Sequence, residues 1–119
     1  MGDEGRMREI NRFARELGAR LDAGDRGVCD DPRWGERMRD LGFEMDCWHS
    51  FEETYGVTYG DPKALAPVLG NVDDLRVLCS GVFSQWRYIN HWAVSDTTDD
   101  YRGLRMMLAR LEELTATGA

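Results

Sequence analysis

The sequence predicts an all-α fold, an irregular bundle of four main helices plus short helical turns around one central helix. Three observations carry that reading. Apolar residues recur at intervals of three and four through the longer stretches, Asp-Pro pairs and glycines punctuate those stretches, and the segment FEMDCW at 43–48 alternates too poorly for a strand. With 119 residues, 42% of them apolar and four of them tryptophan, one domain spanning 1–119 can bury a core without disulfide or metal staples.

The central helix is expected at about 72–93. Leu75, Leu78, Cys79, Val82, Phe83, Trp86 and Ile89 stack into one apolar stripe at about 100° per residue, and Val77, Gly81, Tyr88 and Trp92 add a second arc. A helix apolar around most of its circumference has neighbours on more than one side. Asn71 is the expected N-cap, with Asp73 and Asp74 complementing the helix dipole in the first turn. What remains is a polar wedge of Ser80, Ser84, Arg87 and His91, with Arg76 beside it. Three readings stay open: a window on solvent, a groove that receives a polar or acidic ligand or partner, and a buried network in which Arg87 pairs with an aspartate.

The other elements follow in order. Residues 4–22 form a first helix with Met7, Ile10, Phe13, Ala14, Leu17 and Leu21 on one face and a Glu16 to Arg20 pair four apart, stopped by Gly24. Asp31-Pro32 caps a second helix, spaced by Trp34, Met38 and Leu41 and ended by Gly42. Residues 43–48 read as an extended connection burying Phe43 and Trp48. Ser50 and Glu53 have the form of a capping box opening a single turn closed by Gly56, and Tyr55, Val57 and Tyr59 read as a loop with buried rings. Asp61-Pro62 opens a short helix that Pro67 and Gly70 cut off. After the polar turn at 95–100, a last helix carries Leu104, Met107, Leu108, Leu111 and Leu114 on one face.

Charge narrows the partners. The formal net charge is −7, and residues 41–100 hold ten carboxylates against three basic residues, whereas residues 1–40 set nine arginines against ten carboxylates. A surface so acidic repels a phosphate backbone, which argues against direct nucleic-acid binding and favours a protein partner with a basic surface. Its bland counterpart is an acidic face that only aids solubility. No apolar run approaches the ~18 residues that cross a bilayer, so no membrane partner is expected and the protein reads as cytoplasmic. Cys29, Cys47 and Cys79 are odd in number and widely spaced, which suits reduced thiols better than a disulfide framework.

Catalytic chemistry finds little support. His49 and His91 are the only histidines. Asp46, Cys47 and His49 offer two zinc ligands without the second pair that a structural site needs, and Cys47 as a nucleophile beside His49 or His91 lacks a visible orienting group. No phosphate-binding glycine loop or nucleophile elbow occurs. The expectation is therefore no catalytic residue, no metal and no cofactor. The candidate ligand- or partner-binding residues are Arg87, His91, Ser84, Ser80, Asp73, Asp74, Glu52 and Glu53.

From Asp74 onward the order of features resembles a family of uncharacterised bacterial and phage-associated proteins. The shared features are a helix with an Arg-aromatic pair, here Arg87-Tyr88 in FSQWRYINHW, a polar turn, and a closing helix with a Leu-x-Arg-Leu core at 108–111. Gly42-Phe43 and the aspartate-tryptophan stretch at 46–48 are similar in placement, while Asn90-His91-Trp92 stands where a Glu-Gly pair is common. The resemblance implies a helical fold and no activity. The leading functional expectation is a non-enzymatic acidic interaction module, in character like the phage or mobile-element inhibitors called anti-CRISPR proteins, occupying a basic site on a larger protein. The alternatives are a small-ligand protein or enzyme with a pocket around Arg87 and His91, and a homodimer burying Tyr88 and Trp92.

Overall fold

The computed structural model describes residues 2–24, 28–44, 48–57, 62–92 and 98–116, which contain helices and turns and no strand. In chain order these are α1 (Gly2–Asp22), α2 (Pro32–Asp40), α3 (His49–Tyr55), α4 (Pro62–Leu65), α5 (Leu75–Trp92) and α6 (Thr98–Thr115), with 3-10 turns at Val28–Asp30 and Leu69–Asn71. The all-α expectation holds. The expectations for Tyr59, for Asp61 and for residues 95–97 of the polar turn lie outside the described residues, as do the side chains of Cys29 and Trp92.

α5 is the axis. Residues 77–86 are buried without a break, because α6 and α3 pack along it while α2 and the first 3-10 turn cover further parts of its surface. α1 lies against α6, so that Ile10, Phe13, Ala14 and Leu17 share a core with Leu104, Met107, Leu108 and Leu111. Gly81 sets the spacing at the centre. A Cβ there would meet Cδ2 of Phe51 at 2.7 Å and Cε of Met107 at 2.8 Å, so only a hydrogen lets α3 and α6 close on α5 together. Phe51 is fully buried in that wedge, with Trp48 and Tyr55 rings at 5.1 and 5.3 Å.

Local chemistry explains the ends of α2. Asp31 accepts the Arg33 N–H at 3.0 Å and Pro32 occupies the first turn, where its missing N–H costs nothing. At the other end Gly42 adopts φ +86 and donates to the Arg39 carbonyl, while Phe43 donates to the Met38 carbonyl at 2.9 Å. That pair of hydrogen bonds turns the chain inward and buries Phe43 edge-on against Phe13 at 5.5 Å.

Four expectations about local structure are corrected. Asn71 is not the cap of α5: it closes a 3-10 turn, and Asp74 accepts the Val77 N–H at 3.2 Å instead. The reason is Arg110 on α6, whose Nε donates to the Val72 carbonyl at 2.9 Å and whose Nη2 donates to that of Gly70 at 3.3 Å, holding residues 70–72 outside the helix. Ser50 is not a cap either, since α3 begins at His49, after Trp48 in the left-handed region at φ 75, and Tyr55 belongs to it. Glu16 pairs with Arg37 of α2 in place of Arg20, a contact that the Arg37 guanidinium makes while lying over the Phe13 and Trp34 rings. Finally α6 starts at Thr98, inside the expected polar turn.

The closing helix is tied down by polar contacts that periodicity does not display. Asn11 of α1 donates to the Glu112 carbonyl at 3.0 Å, serving one of the last four carbonyls of α6, which have no partner within the helix. Gln85, buried on α5, donates to the Asp100 carbonyl at 2.9 Å near the other end of α6.

Candidate functional site

The predicted polar wedge is divided into two parts with different fates. Ser80 and Ser84 are 3% and 5% exposed and do not line a groove. Residues after α2 bond to both: Ser80 Oγ donates to the Glu44 carbonyl at 2.7 Å, and the Trp48 N–H reaches Ser84 Oγ at 3.4 Å. Arg76, one turn before Ser80, grips both oxygens of the Glu44 carboxylate at 3.0 Å, which raises the Arg76 pKa through that hydrogen bond. The first stretch of the wedge thus holds the protein's own chain in place.

Beyond the connector the stripe is open. Arg87 and His91 are exposed, and they line one side of a cleft of about 280 Å³ between α5 and α2. Asn90 lies beside them, Phe83 and Trp86 form its inner wall, and α2 contributes Arg39 together with Pro32 and Gly35. The approach of the two helices is set by Gly35, where a Cβ would meet the six-membered ring of Trp86 at 2.9 Å. Arg39 extends over the Phe83 ring at 5.9 Å from its centroid. No carboxylate lines the cleft among the described residues.

Arg39 is the residue sequence reasoning missed. The available sign was a glycine at 35 inside an amphipathic helix, a position that costs about 1 kcal/mol relative to alanine unless close packing requires it. That packing is what aligns α2 with the far end of α5.

The acidic candidates gather at the opposite end of α5. Glu52, Glu53, Asp73 and Asp74 are all exposed. The Tyr55 hydroxyl accepts the Asp74 N–H at 3.2 Å, which sets the end of α3 beside the start of α5 and places Glu52 and Glu53 at the same end of the molecule as Asp73 and Asp74. Asp74 is committed to capping, and carboxylates at a helix N-terminus are favoured by the dipole in any case.

Of the residues weighed for chemistry, His49 is exposed at the first position of α3, while Asp46 and Cys47 lie outside the described residues. Cys79 is buried, and burial pushes its thiol up to about 12, which leaves it protonated and unreactive near neutral pH. No cluster of three or more His, Cys, Asp or Glu able to hold a metal occurs among the described residues. Likewise no described helix is long and apolar enough to cross a membrane. Tyr88 is 40% exposed, the large apolar side chain most open to solvent among the described residues.

No family model, curated protein or solved structure matches the chain. Function must therefore be argued from these two ends of α5.

Proposed function

We propose that the protein is a non-enzymatic interaction module whose acidic end occupies a basic site on a larger protein, in the manner of small acidic phage or mobile-element inhibitors. The observation that supports it is the grouping of Glu52, Glu53 and Asp73, exposed around the N-terminus of α5 and held there by the Tyr55 to Asp74 hydrogen bond. Charges so placed steer a basic surface toward one end of the molecule and set the orientation of docking. Neutralisation inside the protein is partial: Glu44 is spent on Arg76, whereas none of these three carboxylates has an ion-pair partner among the described residues.

The test is quantitative binding to a partner isolated from the host extract, measured by calorimetry at two salt concentrations. Affinity falls about tenfold or more between low and physiological ionic strength, as expected when exposed charges dominate. The triple variant Glu52→Gln, Glu53→Gln, Asp73→Asn loses most of the remaining affinity, while Glu4→Gln with Glu9→Gln on α1 keeps it. Tight binding indifferent to salt and to the triple variant would exclude the reading.

A further inference from the structure

We propose that the outward face of α6 pairs antiparallel with the same face of a second copy of this chain, in a two-fold dimer centred between residues 107 and 108. This does not rest on the acidic end, and its surface is not that of Tyr88. The carrying observation is a stripe that keeps its pattern when read backwards. Arg102, Met106, Ala109 and Glu113 recur at intervals of four, three and four, on the side of α6 opposite Leu104, Met107, Leu108 and Leu111. From either end the order is a charge, two apolar residues and a charge of the other sign.

α1, α5 and α4 pack against α6, and the 3-10 turn at Leu69–Asn71 flanks it. The stripe is what they leave on the outside: Arg102 and Glu113 are exposed, and Met106 and Ala109 are half-buried. Between α6 and the turn runs a groove of about 230 Å³ lined by Leu69, Gly70, Met106, Ala109 and Arg110. Arg110 fixes its far wall, since its bonds to the Gly70 and Val72 carbonyls hold the turn beside the helix. Methionine is flexible enough to fill an irregular gap. Ala109 is small enough to receive it from a second helix.

A two-fold contact requires that when one residue meets another, the second meets the first across the axis. Antiparallel α6 helices satisfy this: Arg102 faces the second copy's Glu113 and Met106 faces the second copy's Ala109, each twice. A parallel pair would instead set Arg102 against Arg102 and Glu113 against Glu113, like charges that repel. Both charges already have a partner on their own helix, Arg102 Nη1 lying 3.9 Å from Asp99 Oδ1 and Arg110 Nη1 lying 3.1 Å from Glu113 Oε2. The dimer keeps those pairs. Along its seam Asp99 and Arg102, then Glu113 and Arg110 of the second copy, alternate in sign. Exposed ion pairs add little affinity, but they decide direction and register, while the apolar contact in the groove supplies the attraction.

Sedimentation equilibrium of the intact chain, from micromolar to millimolar concentration, provides the test. The mass is expected to rise from 13.6 kDa toward twice that value. Arg102→Glu and Glu113→Arg each weaken association about tenfold or more, because each sets two like-charged contacts into the dimer. Mixed in equal amounts, the two variants recover the affinity of the parent chain, since both contacts in the mixed dimer again join opposite charges. A variant that fails to fold is not rescued by its counterpart, so the mixture separates lost structure from lost register. Tyr88→Ala leaves association unchanged. A monomer at every concentration, single variants that associate like the parent, weakened variants that mixing does not rescue, or loss of the dimer in Tyr88→Ala overturns the proposal.

Discussion

The two stretches of α5 that carry polar side chains lie on one helix and have opposite roles. Ser80, Ser84 and Gln85 are buried, and hydrogen bonds tie them to the connector after α2 and to the start of α6. Arg87 and His91, one and two turns further on, are exposed and face a cleft. A helical wheel assigns the serines, Arg87 and His91 to one wedge, so the difference cannot come from α5 itself. It comes from what bonds to it: the Glu44 carbonyl and the Trp48 N–H meet the two serines, whereas Arg87 and His91 stay exposed. The polar residues of the covered part specify internal geometry, and Arg87 and His91 beyond it are exposed.

That contrast can be broken most directly at Gln85. Truncation by Gln85→Ala removes a buried side chain and its bond to the Asp100 carbonyl, which is expected to cost about 2–3 kcal/mol by denaturant unfolding. Gln85→Leu keeps most of the volume and loses only the bond, so about 1 kcal/mol is expected. Equal and small effects from both would show that the covered stretch is no more demanding than the open one. Next in size is Ser80→Ala, which deletes the donor to the Glu44 carbonyl and is expected to cost about 1 kcal/mol. Its signature is local. Amide exchange should quicken around Phe43 and Glu44, while the core of α1 and α6 keeps its protection.

Much of the fold was legible because it depends on periodicity and end signals. The stripes of α1, α5 and α6, the Asp31-Pro32 start and the Gly42 stop are properties of single segments, and they appear in the structure at those residues. What could not be read depends on a second segment. Asn71 closes a 3-10 turn and Asp74 caps α5 in its place, and Arg110, thirty-nine residues beyond Asn71, takes the carbonyls of Gly70 and Val72. Glu16 finds Arg37 and not Arg20 because the Arg37 guanidinium lies over the Phe13 ring of α1. The site follows the same rule. Arg87 and His91 were visible as a pair four apart, whereas Arg39 joins them through a contact between Gly35 and Trp86, and the sequence shows the glycine but not its partner on another helix.

The smallest expected effect is also the sharpest test of the contrast. Arg87→Ala and His91→Ala should each change stability by less than about 0.5 kcal/mol, as for surface positions away from the core. What loss remains at Arg87 is that of an exposed charge acting on the rest of the molecule. High salt should therefore shrink even that small loss, because the charges are exposed and screened. The same substitutions at the covered stretch act through hydrogen bonds and volume, which salt does not screen. Thermal unfolding of the four alanine variants at Ser80, Gln85, Arg87 and His91, at low and high ionic strength, thus separates the two roles. If Arg87→Ala instead lowers stability by 2 kcal/mol or more irrespective of salt, the guanidinium belongs to the internal architecture, and the open end of α5 is an extension of its covered part.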